Sequence, residues 1–454
     1  MASLAPNHFL SLPRPDLTVG QPLGVTDTST LAAHDFDVDT RTGFLPPQPP
    51  LSRLPMDWEP WEATLEDALE HKFQLGDRAG ISTAQIMLSA LWRTSVAQLP
   101  IITTDDIQKS ELLLRRAHHV LSFIMHIYIH TLPPDAELRI PAPITIPLLQ
   151  ICAQLQLPPV NTYADNVLYN WTLVSPSPFG LPTISNLRCQ TLFTGTKDEE
   201  EFYLSSTRIE LRGVEALELM RVTMDELFVA DAIAIRRITT YLQMMSGVIK
   251  ELKELLLAVK EGCDPDIFYK DIRPWFRGED SDPGKRKWIF EGLDDHPELE
   301  EPTELSGSSA GQSPLVHALD IFLGTDQPSH SPSAAEKAAF LARMQSYMSR
   351  HHRNFLRHLS VNPRPLRTFV STTGDTALLE AYNMTVQSLK EFRDAHMIIV
   401  TLYIVLPAKR ARAAAQQIAG DEEQASLQGT GGTDLVNFLK SVRDRTANAR
   451  IDPV

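Results

Sequence analysis

The sequence predicts an all-α protein, with a small amino-terminal helical domain and a larger carboxy-terminal helical one. Three observations carry that prediction. Glycine is scarce (21 of 454 residues) and proline frequent (33), which suits helices joined by proline-punctuated connections better than a turn-rich β protein. Long stretches place apolar residues three and four apart among strong helix formers; the clearest, residues 231–260, has no interior proline. The alternation of strand and helix patterns that a parallel α/β sheet requires is missing. A hydrophobic content of 43% and a charged content of 22% are those of a folding chain, long enough for two or three domains.

Residues 1–55 are proline-rich and weakly periodic, with an extended PPQPP segment at 46–50. Helical patterns follow at 62–74, about 80–99 and 106–131. After two short proline-delimited segments come helical stretches at 147–157 and 161–171, the second with Tyr163, Val167, Leu168 and Trp171 on one face. The character changes at 172–201, where SPSPFGLP reads as a loop, LRCQTLF as a short strand and TGTKDEEE as a turn. The domain boundary is therefore placed at residues 190/191, giving units 1–190 and 191–454. Beyond it, FYLSSTRIELRGVEALELM and the 231–260 segment are helical and 278–313 is loop-like. Helices are expected at 314–323, about 334–350, 375–405 and 433–447, with the Ala/Gln/Gly-rich stretch 408–432 as a surface loop.

Charge and cysteine content narrow the function. A formal net charge of −15 argues against a general nucleic-acid binder, which needs a basic footprint. Cys152, Cys189 and Cys263 are odd in number and widely spaced, with no CxxC or zinc-ribbon spacing, which fits buried free thiols in a reducing compartment. The longest apolar run, Met397 to Pro407, is too short to cross a bilayer, and MASLAPNHFLSLPRP carries no secretory pattern. The expectation is a cytoplasmic protein without membrane or nucleic-acid partners.

Several motifs have competing readings. Gly307-Ser308-Ser309-Ala310-Gly311 matches the G-x-S-x-G nucleophile elbow, but the acidic segment before it cannot be a buried strand. It reads instead as a flexible loop, or as one whose small residues let the backbone approach a flat ligand. GTGGTD at 429–434 lacks the GK[ST] of a P-loop and is a linker or an anion-binding cover. His118, His119, His126 and His130 share a predicted helix; His126 and His130 face one way, but without a matching carboxylate the helix reads as partly exposed rather than as a metal site. HHR at 351–353 reads as surface. His396 is different. It lies mid-stripe among Leu389, Phe392, Ile399, Val400 and Tyr403, with Arg393 one turn earlier. It is either a satisfied core histidine or, with the arginine, the axial imidazole and propionate cation of a haem edge.

Seven segments, in order, resemble the indoleamine 2,3-dioxygenase family: LQLPPVNTYADNVLYNW, EEEFYLSS, DIFYKDIRPWFRG, SGSSAGQSPLVHALDIFLG, SRHHRNFL, RDAHMIIVTLYIVLP and GTGGTDLVNFLKSVR. The resemblance covers roughly residues 140–447 well and the amino-terminal part loosely. It implies a large helical domain enclosing haem b, ferrous when active. The implied reaction inserts both atoms of O₂ across the indole C2–C3 bond of L-tryptophan, giving N-formylkynurenine, the first step of the kynurenine pathway. An external electron donor and a monomeric state are implied as well.

Carried over by motif, His396 resembles the proximal iron ligand, Asp320 the carboxylate linked to that histidine, and Arg393 the haem-propionate partner. Phe268 and Arg273 resemble the residues that cover the substrate and hold its carboxylate, and Tyr163, Phe202 and Ser206 line up with the indole pocket. Ser309 and Ala310 match the loop beside the haem, and Thr430 the threonine of a mobile closing loop. No side-chain acid or base is implied as obligatory; the protein positions the indole and excludes water. Asn166 stands where some relatives carry a small thiol, making the pocket more polar. The alternative is a haem-binding sensor or low-activity paralogue of the same fold; Phe268, Arg273 and Ser309 together argue against it, because a sensor needs no amino-acid clamp.

Overall fold

The computed structural model describes residues 36–177, 180–325, 340–419 and 435–452. The fold is all-α, with two pairs of three-residue strands among the described residues. The first half is built from α1 (Glu59–His71), α2 (Thr83–Ala97), α3 (Glu111–His130) and α4 (Ala142–Leu155). Ser82 and Ser110 cap α2 and α3, their hydroxyls accepting from the N–H of Gln85 and Leu113. The chain expected to be proline-delimited ahead of residue 147 is already helical from Ala142, with Pro147 inside α4. Nearly the whole of α4 is buried, and packing outweighs the hydrogen bond that Pro147 cannot donate.

A second correction falls at 161–171. That segment is a π-turn, Ala164–Leu168, followed by strand β2 (Trp171–Leu173), which pairs antiparallel with β3 (Leu187–Cys189). The apolar face seen in the sequence is real, but a wider turn presents it. Strand β1 (Leu138–Ile140) pairs in parallel with β4 (Trp288–Phe290), inside the region expected to be loop.

The second half packs around α7 (Ala232–Gly262), capped by the Asp231 carboxylate, and α11 (Thr376–Val400), capped by Asp375. Against α7 lie α5 (Lys197–Arg212) and α6 (Val214–Val229). KDEEE belongs to α5 rather than to a turn: Thr196 caps it, and the acidic first turn complements the helix dipole. The helix breaks at Gly213, where Leu315 of α8 (Pro314–Leu323) packs onto the backbone. The helix expected at 334–350 lies partly outside the described residues; it ends at 345, and Arg350–Ser360 is a separate helix, α9. A short α10 (Leu366–Thr373) leads into α11. After α11 a π-turn (Thr401–Val405) runs into α12 (Leu406–Ala419), so residues 408–419 are helical and not a loop. The final helix is α13 (Leu435–Asn448). No helix of the described residues is long and apolar enough to cross a membrane.

Two large apolar clusters organise the molecule. One gathers Trp58 from the turn before α1 with Trp61, Val120, Phe123 and Leu148 from α1–α4, and takes in Trp275 and Trp288. The other gathers Leu242, Ile249, Leu319, Tyr382 and Leu389, and takes in Phe44 and Trp171 from the first half. We propose a two-domain seam near residue 190 that segments from both sides cross.

Two polar regions differ from expectation. The histidines of α3 are largely buried: His118 pairs with Asp165 (2.9 Å), His119 with Thr191, and His126 and His130 with the carbonyls of Trp275 and Arg277. The rings of His119, His126 and His130 stitch α3 to the second half, and that of His118 ties it to the π-turn at Asp165. His352 of the HHR segment is buried too, its ring bonded to the Asp37 carbonyl (3.1 Å).

Candidate functional site

A cavity of about 260 Å³ lies between α5, α8, α11 and the segment 268–276. Tyr163, Phe202, Ser206, Phe268 and Arg273 line it, as do Ser309, Ala310, Asp320, Arg393 and His396. The structure thus brings together the residues singled out in the sequence, apart from Thr430, which lies outside the described residues.

Each wall has a local cause. The Asp264 carboxylate caps a helical turn, accepting from the N–H of Asp266 and Ile267. That turn widens into a π-turn, Phe268–Ile272, then tightens into a 3-10 turn, Arg273–Phe276, at Pro274. Phe268 and Arg273 are thereby both delivered to the cavity. The rings of Phe202 and Phe268 sit 4.3 Å apart, and Tyr403 meets Phe268 edge-on at 5.6 Å. Arg273 is only 6% exposed; burial, and then Arg277, pushes its pKa down to about 10, which leaves it a cation at neutral pH.

The π-turn Ala164–Leu168 and the 308–311 loop are tied to one another. Gln312 accepts from the Tyr163 N–H (2.8 Å) and donates to the Gly307 carbonyl (3.0 Å). Ser309 precedes a 3-10 turn, its hydroxyl accepting from the Gly311 N–H, and no strand leads into it, so the nucleophile elbow is not formed. Beneath Tyr163 lies Glu210, fully buried and unremarked in the sequence. Its Oε1 accepts from the Tyr163 hydroxyl (2.9 Å) and from Ser313 Oγ (2.5 Å), while Oε2 has no partner among the described residues. Burial pushes its pKa up to about 7 against those two donors. The signal available was slight: an acidic residue between Ile209 and Leu211 on α5.

On α11, His396 is half-buried at the cavity wall. Among the described residues its ring has no hydrogen-bond partner, so the satisfied core histidine is not what the fold contains. Burial, and then Arg393, pushes its pKa down to about 4 and keeps the imidazole neutral. The expected link from Asp320 to His396 is absent. Asp320 instead accepts from Arg393 Nη2 through both oxygens (2.5 Å each) and from the Thr325 hydroxyl. Geometry explains the correction: Arg393 lies nearly one turn before His396 and reaches α8 first, while also donating to Thr446 of α13. Arg393 therefore fastens three helices at the cavity edge, and the ion pair holds the Asp320 carboxyl below its usual range against the effect of burial.

Comparison with known proteins shows what the chain is similar to. A family model described as indoleamine 2,3-dioxygenase matches residues 32–449. The chain is 30% identical over 418 residues to indoleamine 2,3-dioxygenase 1 of Rattus norvegicus, covering 92% of this chain and 95% of that one. It is 30% identical over 456 residues to indoleamine 2,3-dioxygenase of Saccharomyces cerevisiae (94% of each chain). It is also 30% identical over 428 residues to a 6-hydroxytryptophan 2,3-dioxygenase of Fusarium equiseti (92% and 97%).

Proposed function

The chain belongs to the indoleamine 2,3-dioxygenase family, and on that footing we propose that it inserts both atoms of O₂ across the indole C2–C3 bond of L-tryptophan, giving N-formylkynurenine. The observation that carries this reading is the neutral, unpartnered imidazole of His396 on the same cavity as the Phe202–Phe268 ring pair and the buried cation of Arg273.

The cavity's residues fit haem b. Neutral imidazole is the form of histidine that ligates iron, and His396 has no competing partner among the described residues. Ile399 and Val400 beside it suit the apolar face of a porphyrin. His396 would hold the iron and Arg393 a propionate. Ferrous haem, kept reduced by an external electron donor, supplies the binding and activation of O₂. The chain's own work is positioning: Arg273 pairs with the substrate carboxylate, and Phe202 and Phe268 flank the indole. Tyr163, Ser206, Ser309 and Ala310 shape the remaining wall. Burial of the substrate excludes water, and no side chain has to remove a proton. We further propose that the protein acts as a cytoplasmic monomer. The relative named for 6-hydroxytryptophan supports a second, ring-substituted substrate for the same site.

Purified protein reconstituted with haem and reduced under CO tests this reading. A stoichiometric, CO-sensitive Soret band is expected, with product absorbance growing when tryptophan, O₂ and a reductant are supplied. Failure to bind haem would sink it; haem binding without turnover would leave a sensor of the same fold.

A further inference from the structure

Asn166 lies on the π-turn Ala164–Leu168 and lines the cavity. It is 2% exposed, and neither Nδ2 nor Oδ1 of its side chain has a hydrogen-bond partner among the described residues. Its backbone is satisfied: the N–H donates to the Thr162 carbonyl, and its own carbonyl accepts from Asn170 Nδ2. A buried amide with both donor and acceptor unmet is costly, and such a group calls for a partner the protein itself does not provide.

Several polar side chains of the cavity are already committed. The hydroxyls of Tyr163 and Ser313 donate to Glu210, that of Ser205 to the Leu255 carbonyl, and Arg393 holds Asp320. What remains at Asn166 is a donor and an acceptor side by side, next to the apolar Val167. A hydroxyl, itself both donor and acceptor, matches that pair. A charged group does not, because Asn166 brings no counter-charge and the cation of Arg273 enters from a separate segment.

We propose that Asn166 is a specificity-determining residue that selects an indole amino acid hydroxylated on its benzo ring over the unsubstituted one. The proposal rests on the reading of this cavity as an indole amino-acid site. With the carboxylate on Arg273, the ring is the part of the substrate left for Asn166. The C2–C3 edge must stay clear for reaction, so the hydroxyl belongs on the benzo ring.

The test uses the haem-loaded full chain with L-tryptophan and each of the benzo-ring hydroxytryptophans. Dissociation constants come from calorimetry and kcat/KM from steady-state turnover. One hydroxytryptophan is expected to exceed tryptophan by about tenfold or more in both. Asn166→Leu, which keeps the volume and removes both polar atoms, should bring that ratio to about one, and Asn166→Ser should retain part of it. Should the leucine protein not fold, the serine protein decides alone. Equal treatment of all substrates by the unmodified chain would overturn the proposal and assign the amide's partner to a buried water. A preference left undiminished in the variants would overturn it as well. Binding of no indole amino acid at all would instead sink the indole-site reading.

Discussion

Gly278 and Gly307 lie backbone against backbone: a methyl group on Gly278 would fall 2.1 Å from the Leu305 carbonyl oxygen, and one on Gly307 would fall 2.1 Å from the Phe276 carbonyl oxygen. Neither position admits a side chain. Through this contact the loop of Ser308, Ser309 and Ala310 is docked onto the turn that carries Arg273 and Phe276.

Gly307→Ala should force the two segments apart. Overpacking of this kind costs about 1–3 kcal/mol, and here backbone atoms leave little room to relax. Urea unfolding should show that loss, together with a raised KM for tryptophan. Gly247→Ala is the control: it sits in α7 with nothing within 4 Å of an added Cβ, and should gain about 0.5–1 kcal/mol from helix propensity. Matching stabilities for the two variants would show that the glycine contact is slack.

His396→Ala should abolish or greatly reduce the Soret band per mole of protein. The imidazole has no partner among the described residues, so its loss leaves the surrounding packing with no broken hydrogen bond. The variant should remain folded by far-ultraviolet dichroism while failing to retain haem. Full haem occupancy with an unchanged spectrum would remove His396 from the role of iron ligand.

Much of this arrangement is legible in the sequence where local pattern and tertiary role coincide. Helix Ala232–Gly262 has strong helix formers, an Asp cap and no proline, and needs nothing distant to specify it. Segment 161–171 reads as a helix because its face has the right spacing, yet the pairing of Trp171 with Cys189 ends it early, and that pairing is a long-range fact. The parallel contact of Leu138–Ile140 with Trp288–Phe290 escapes for the same reason. The helix of His118 reads as partly exposed because histidines are polar; only the fold supplies Asp165 at 2.9 Å. In the site, the composition of the walls is visible through the resemblance. The partner of Asp320 is not, since sequence order cannot say that Arg393 reaches it ahead of His396.

Glu210 makes stability depend on pH in an unusual direction. Its folded pKa, raised to about 7 by burial, exceeds the ordinary value of 4.5. Between those values the folded state holds a proton that the unfolded state has lost. This carboxyl's contribution therefore falls as pH rises from about 4.5 to 7 and is level above, a change of about 3 kcal/mol. Glu210→Gln keeps an acceptor for Tyr163 and Ser313 and cannot ionise. In denaturant unfolding at pH 5, 6, 7 and 8, the variant should gain on the unmodified protein with each step up to about pH 7. Parallel profiles would mean that the carboxyl is ionised throughout.

Arg273→Leu separates substrate holding from support of the fold. Its guanidinium is buried, still charged, and close to the Tyr269 ring (5.9 Å), on a different segment from Arg393. A charge-assisted pair with a desolvated carboxylate contributes about 1.5–3 kcal/mol, and an unpaired carboxylate in the same place is penalised by a similar amount. The KM for tryptophan should therefore rise by about tenfold or more, at roughly 1.4 kcal/mol per factor of ten. Haem content should not change. Tryptamine keeps the indole and lacks the carboxylate, so its kinetics should be nearly indifferent to the substitution. Steady-state rates for both compounds at equal haem occupancy decide the matter: equal losses on the two would place Arg273 in the scaffold and not on the amino acid.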